Sequence, residues 1–198
     1  MNIIPFEHFH KKSTLWKRNM LTPYFKGSEA VLDFGCGDLS FAKSLLEVHP
    51  LLQITGVDVV DFFEKPRGIK FITYDGKKLP FKDNSFDTVI SFYVFHHCED
   101  AFAAFEECAR VAKKRVIFVE SVYRYPLELV FMRIMDWLYN IVKPESIPLS
   151  YQFFSFHDWL KVFEKNKMKM KSSKKIKQVF LPAFLPIGIS YTFEVKKI

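Results

Sequence analysis

Residues 31–40 read Val31-Leu32-Asp33-Phe34-Gly35-Cys36-Gly37-Asp38-Leu39-Ser40. An apolar run ends in a carboxylate, two glycines follow one residue apart, and Ser40 opens an amphipathic stretch. Glycine is needed where φ is positive or where a ligand must approach the backbone, and the chain has only seven in 198 residues. Gly35, Gly37 and Gly76 directly follow expected strands, and Gly56 lies inside one near its end. In an open parallel sheet the ligand crevice lies at the carboxyl ends of the strands, so the scarce glycines mark that edge. A dinucleotide fingerprint requires a third glycine at position 40, which is Ser40 here. A carboxylate at Asp33 suits a cationic ligand better than a diphosphate.

Outward from this turn, short β-branched runs alternate with helical patterns, as βαβ units and a parallel sheet require. Strands are expected over 30–34, 53–59, 70–74, 86–93 and 115–120, and helices over 40–48 and 101–113. Residues 6–25 read as a leading helix within an N-terminal helical cover, 1–27. Residues 127–142 form a helix whose apolar character, wider than one stripe, asks for burial on more than one side. A short helix is expected over 156–163 and a half-buried strand over 188–197, where apolar and polar residues alternate. The whole chain, 1–198, reads as a single domain.

The net charge of +7 is local: residues 161–177 hold eight lysines and one glutamate, leaving 21 basic and 21 acidic residues elsewhere. Cys36, Cys98 and Cys108 are odd in number and contain no C-x-x-C pair. That argues against a disulfide framework and a structural zinc site and points to a reducing cytoplasm, with no metal expected. The N-terminus lacks the charge order and apolar core of a secretory signal, and no 18-residue apolar stretch suggests a membrane span.

Further carboxylates punctuate the later strands. Asp58 closes Ile54-Thr55-Gly56-Val57-Asp58, 21 residues past Gly37, and Asp75-Gly76 follows the third strand. Ser91 ends Asp83-Asn84-Ser85-Phe86-Asp87-Thr88-Val89-Ile90-Ser91, ahead of Phe92-Tyr93-Val94-Phe95-His96-His97. These four ordered motifs, covering residues 30–120, closely resemble the class I S-adenosylmethionine-dependent methyltransferases. The resemblance is to the small-molecule branch that includes the ubiquinone and menaquinone biosynthesis enzymes.

The resemblance implies S-adenosylmethionine as cofactor and an α/β, Rossmann-like three-layer αβα sandwich. Its seven-stranded, mostly parallel sheet would have the order 3-2-1-4-5-7-6 with strand 7 antiparallel. It implies that Asp33, Gly35, Cys36 and Gly37 line the methionine part and that Asp58, with Val59 beside it, holds the ribose. Asp75 and Gly76 would meet the adenine edge, with Ser91 beneath the methionine. Two turns depart from the family pattern: Ala112-Lys113-Lys114-Arg115 replaces Lys-Pro-Gly-Gly, and Asn166-Lys167 replaces Gly-Phe. The sixth strand, about 168–180, would be a sheet edge, with Lys167, Lys169 and Lys171 toward solvent to discourage pairing with other chains.

For catalysis, His96 and His97 follow the fourth strand where an acceptor would lie, and histidine can take a proton near neutral pH. Glu120 and Tyr123 are further lining candidates. Cys98 lacks a Pro-Cys context for a covalent nucleophile, and no Asn-Pro-Pro-Tyr points to nucleobase amino groups. The insert 122–151 reads as a substrate lid whose 127–142 face suits a hydrophobic acceptor or a membrane surface. The leading reading is methyl transfer to a small, hydrophobic acceptor. The alternatives are an RNA methyltransferase using the 161–177 lysine run, which fits less well, and a non-catalytic S-adenosylmethionine-binding module. Oligomeric state is left open.

Overall fold

A computed structural model describes residues 6–61, 68–141, 152–176 and 189–198. Its strands are β1 (Ala30–Phe34), β2 (Gln53–Asp58), β3 (Lys70–Thr73), β4 (Phe86–Phe92), β5 (Ala112–Tyr123), β6 (Phe154–Ser155), β7 (Met168–Ile176) and β8 (Ile189–Lys197). They form one sheet in the order β3-β2-β1-β4-β5-β8-β7, with the two-residue β6 parallel to the end of β5. β1 to β5 are mutually parallel, and β8 is antiparallel to both β5 and β7. This is the expected order, with β8 and β7 in the seventh and sixth places and β6 as a small addition.

The helices are α1 (Phe6–Leu21), α2 (Ser40–Val48), α3 (Ala101–Val111), α4 (Pro126–Ile141) and α5 (Phe156–Lys165). Side-chain alternation along the strands sends Val31, Ile54, Ile90 and Ile117 to one face, where they pack with Leu21 at the end of α1, with Phe25 beyond it and with Phe41 and Leu45 of α2. Leu32, Phe34, Val89, Val116 and Phe118 take the other face with Phe105 of α3 and Trp159 and Phe163 of α5. Aromatic residues dominate that second core: Phe118 stacks on Phe193 of β8 at 4.9 Å, and Trp159 lies 4.9 Å from Phe118.

Local sequence sets the boundaries. Asp100 caps α3 by accepting the Phe102 and Ala103 N–H groups, and Ser155 with Asp158 forms a reciprocal capping box on α5. α1 stops at Leu21 rather than continuing to 25, because Pro23 cannot extend it and instead opens a single 3-10 turn, Thr22–Tyr24. α3 ends at Val111 and β5 starts at Ala112, so no separate turn exists where the family carries Lys-Pro-Gly-Gly. A register irregularity between Phe86 and Thr88 absorbs the junction. The Lys197 ammonium donates to the Ala109 and Ala112 carbonyls that the missing turn would otherwise have to satisfy.

At the edge, Met168 is buried while Lys169 and Lys171 are exposed, as expected. A bulge between Met170 and Ser172 then breaks the alternation, and residues 171–175 all face solvent. The 177–180 part of the expected strand, residue 188 of the last strand, residues 1–5 of the N-terminal cover and 142–151 of the expected lid lie outside the described residues. The expectation of burial on several sides of α4 is corrected. Met132 and Glu128 are buried, but Leu127, Val130, Ile134 and Trp137 form a stripe with exposures from 49% to 77%. Helical periodicity defines an apolar face but not what covers it, and among the described residues this stripe stays exposed.

Candidate active site at the carboxyl edge of the sheet

The turn after β1 is fastened to the end of β2. The Gly35 and Cys36 N–H groups both donate to the Val57 carbonyl, at 2.9 and 3.2 Å. The Gly37 N–H donates to Asp58 Oδ2 at 2.8 Å, and Asp58 Oδ1 accepts the Val60 N–H at 3.1 Å. Gly35 has φ +69°, and a Cβ there would lie 2.4 Å from a Val94 methyl, so only glycine lets the turn after β4 close against it. Gly37, with φ +55°, has nothing within 4 Å of a built Cβ. The open space over the turn is therefore at Gly37. Gly56 serves packing instead: a Cβ there would collide with Leu39 and with the Cys36 sulfur, at 2.4 and 2.7 Å.

Cys36 thus points inward, and burial together with the charges of Asp33 and Asp58 pushes its thiol well above the ordinary range. Burial likewise pushes Cys98 up to about 12, which disfavours a thiolate nucleophile there. Asp38 accepts both the N–H and the hydroxyl of Ser40, closing the start of α2.

Asp33 is the unusual group. It is 3% exposed, and its Oδ2 has no hydrogen-bond partner among the described residues. Burial, partly offset by Lys17 and reinforced by Asp58 and Asp38, raises its pKa to about 7. An orphaned buried acceptor costs about 1–3 kcal/mol, and a bound cationic donor recovers it.

The other expected residues divide. Val59 is 42% exposed and lies against Gly76, whose built Cβ would be 3.4 Å from a Val59 methyl, giving an apolar wall beside the Asp58 carboxylate. Asp75 is exposed and spends Oδ1 on the Lys77 and Lys78 N–H groups of its own turn, bonds that hold its pKa below the usual range. Ser91 is buried with its hydroxyl unpartnered among the described residues. Register aligns Ser91 with Phe34 and Phe118, whereas Asp33 aligns with Ile90. Asp33 and Ser91 therefore leave the sheet on opposite faces and do not converge from one side.

His96 and His97 occupy a 3-10 turn, Phe95–His97, immediately past β4. His96 Nδ1 is 2.8 Å from Glu120 Oε2, and the two imidazole rings are 4.1 Å apart. Phe153 stacks on His96 at 4.9 Å with 18° between planes. Sequence reasoning missed Phe153, the approach of Lys17 to Asp33, and the left-handed backbone of Leu39 and Tyr93, with φ of 63° and 56°. Phe153 and Lys17 carry no local signal, since each reaches its partner from a distant segment.

The donor set fits S-adenosylmethionine: a buried carboxylate lacking a donor for the ammonium, open backbone at Gly37, a carboxylate at a strand end for ribose hydroxyls, and Val59 for a flat base. The Methyltransferase domain family matches residues 32–119. A demethylmenaquinone methyltransferase of Staphylococcus haemolyticus is 26% identical over 189 residues, spanning 90% of this chain and 76% of that protein. One from Thermotoga maritima is 32% identical over 108 residues, 52% of this chain, and the match spans 47% of the Thermotoga protein, less than half its length. The magnesium protoporphyrin IX methyltransferase of Synechocystis PCC 6803, solved with bound S-adenosylhomocysteine, superposes with a TM-score of 0.68 at 18% identity, covering 100% of this chain and 90% of that one. The methyltransferase likeness in sequence is thus carried by residues 32–119, and the chain shares the fold of solved S-adenosylmethionine-dependent methyltransferases.

Proposed function

We propose that the chain transfers a methyl group from S-adenosylmethionine to a small, hydrophobic acceptor, acting as one domain over 1–198 with 122–151 covering the acceptor. The observation that carries this reading is the buried Asp33 carboxylate beside the open backbone of Gly37. S-adenosylmethionine supplies a methyl already activated on a sulfonium. The chain has to orient the partners and exclude water, and orientation alone can contribute about 7–11 kcal/mol.

In this reading Asp33 takes the ammonium. Asp58 keeps the Gly37 N–H while spare lone pairs accept ribose hydroxyls, and Val59 and Gly76 flank the adenine. His96 and His97 face the acceptor. The relatives named as demethylmenaquinone methyltransferases support an apolar acceptor, as does the exposed stripe of α4. Arg124 is paired with Glu128 of that helix, so it is the apolar stripe rather than net charge that suits the helix to a bilayer surface. No described helix is long and apolar enough to cross a membrane, and the contact in this reading is of the stripe with a bilayer surface.

Calorimetry with S-adenosylmethionine and S-adenosylhomocysteine tests the donor half, with micromolar binding expected. An absence of binding at millimolar ligand, or an Asp58→Ala variant that binds like wild type, refutes it. Transfer of labelled methyl to demethylmenaquinol, the reduced and proton-bearing form, in phosphatidylglycerol vesicles tests the acceptor half. Transfer confined to water-soluble acceptors, with no partitioning onto vesicles, refutes that half.

A further inference from the structure

Glu120 is a charge at the end of a buried apolar run, Val116 to Val119, and it is 1% exposed. Its two oxygens are separately engaged: Oε1 accepts the Phe95 N–H at 2.9 Å and Oε2 meets His96 Nδ1 at 2.8 Å. Taking a carboxylate and an imidazole out of water is costly, and an apolar pair of similar volume would often hold the same elements together as well. The arrangement also does more than hold them. A carboxylate only accepts, so His96 must donate from Nδ1, and the neutral ring then carries its lone pair on Nε2.

The ring's orientation is fixed as well as its tautomer. Phe153 stacks on one side, His97 lies 4.1 Å away, and the Gln152 N–H donates to the His96 carbonyl at 3.3 Å. The turn carrying the histidines is hitched to β5 beside Glu120, because the Tyr93 N–H donates to the Val119 carbonyl at 2.9 Å. Tyr93 reaches that bond with φ +56°, a strained conformation for a bulky residue and one that gathers at functional sites.

We infer that Glu120 is a positioning residue that holds His96 with Nδ1 protonated and Nε2 basic, making His96 the proton acceptor of the reaction. This rests on the methyl-transfer reading. It narrows the acceptor class to groups that still carry a proton at neutral pH, a phenolic or enolic O–H or an acidic C–H. The acceptor's electron pair forms the new bond to the methyl carbon and the carbon–sulfur bond of the sulfonium breaks, leaving a neutral thioether. The acceptor's proton passes to Nε2, Glu120 balances the imidazolium charge, and the proton returns to water after product leaves.

The test uses protein labelled with 15N-histidine and two-bond 1H–15N spectra at a pH where the rings are neutral. Wild-type His96 is expected to be protonated at Nδ1. In Glu120→Gln the amide oxygen keeps the Phe95 N–H and the amide nitrogen donates to the ring, so the tautomer is expected to reverse. Its kcat with a phenolic acceptor such as demethylmenaquinol should fall by about 10²–10⁴-fold, with S-adenosylmethionine affinity within twofold of wild type. His96→Asn keeps an N–H for Glu120 without a base and should lose as much, with the double variant no worse than either single one. A wild-type ring protonated at Nε2 overturns the inference without any variant needing to fold. So does a Glu120→Gln protein with unchanged kcat, or one in which cofactor affinity falls along with kcat. Failure of wild type to bind S-adenosylmethionine overturns the underlying reading instead, and the tautomer measurement distinguishes the two.

Discussion

Asp33→Asn should separate cofactor affinity from pH. In the free protein burial holds the Asp33 carboxyl at about 7, so at pH 5 nearly every molecule is protonated there and at pH 7 about half are. Pairing with the ammonium of S-adenosylmethionine requires the carboxylate and draws its pKa down, as an opposite charge at close range does. If it falls below about 4, affinity is weaker by roughly 50-fold at pH 5 than at pH 7, about 2.3 kcal/mol, and binding releases about one proton near pH 5.5. Calorimetry across that range, repeated in buffers of different ionisation enthalpy, reads both quantities. Asp33→Asn should bind weakly at every pH and release no proton.

The same group predicts a stability effect of definite sign. Its folded pKa lies above the unfolded 3.8, so the native state holds the proton more tightly and loses stability as pH rises from about 4 through 7. The full span is about 4 kcal/mol. Ligand-free Asp33→Asn should therefore melt higher than wild type at pH 8 but not at pH 4. A flat affinity profile, absent proton release, or an Asn variant with wild-type affinity and slope would sink the reasoning.

Other perturbations have equally definite outcomes. Gly56→Ala must displace Leu39 and the Cys36 sulfur, so it should weaken S-adenosylmethionine binding at least tenfold by moving the turn that carries Gly37, as calorimetry will show. Phe118→Ala opens a hole among Phe193, Trp159 and Phe163 and should cost about 3–5 kcal/mol in urea unfolding. Replacing Val130 and Ile134 with glutamate leaves the core untouched, since both are half-exposed or more. It should change the melting temperature by no more than a degree or two while abolishing sedimentation with phosphatidylglycerol vesicles.

The legible parts of this fold are those in which one segment's chemistry is sufficient. The β1 turn was readable because glycines are scarce and their neighbours are carboxylates. The lysines of β7 were readable because alternation over 168–171 is a local property. What required the structure was convergence. That Asp75 would close its own turn, and that Ser91 would leave the sheet opposite Asp33, depend on side-chain reach and inter-strand register, neither of which is written in either segment alone. The direct passage from α3 into β5 at Ala112 was hidden because its stabilising cation, Lys197, lies 85 residues away. The pairing of His96 with Glu120 was half visible: both residues were marked as candidates, but only the adjacency of β4 and β5 brings them together.

β8 lies inside the sheet although β5, which it pairs with, was made long before it. From Tyr123 to Lys197 is 74 residues, which a ribosome adds in roughly 4 to 15 s. Through that interval one flank of β5 has no partner, and Phe118 lacks Phe193 to stack upon. A half-made chain thus presents a bare strand edge beside an aromatic surface, a template for pairing with another nascent chain. Synthesis speed across residues 124–188, and access to a chaperone during it, should govern the yield of soluble protein more strongly than the stability of the finished fold.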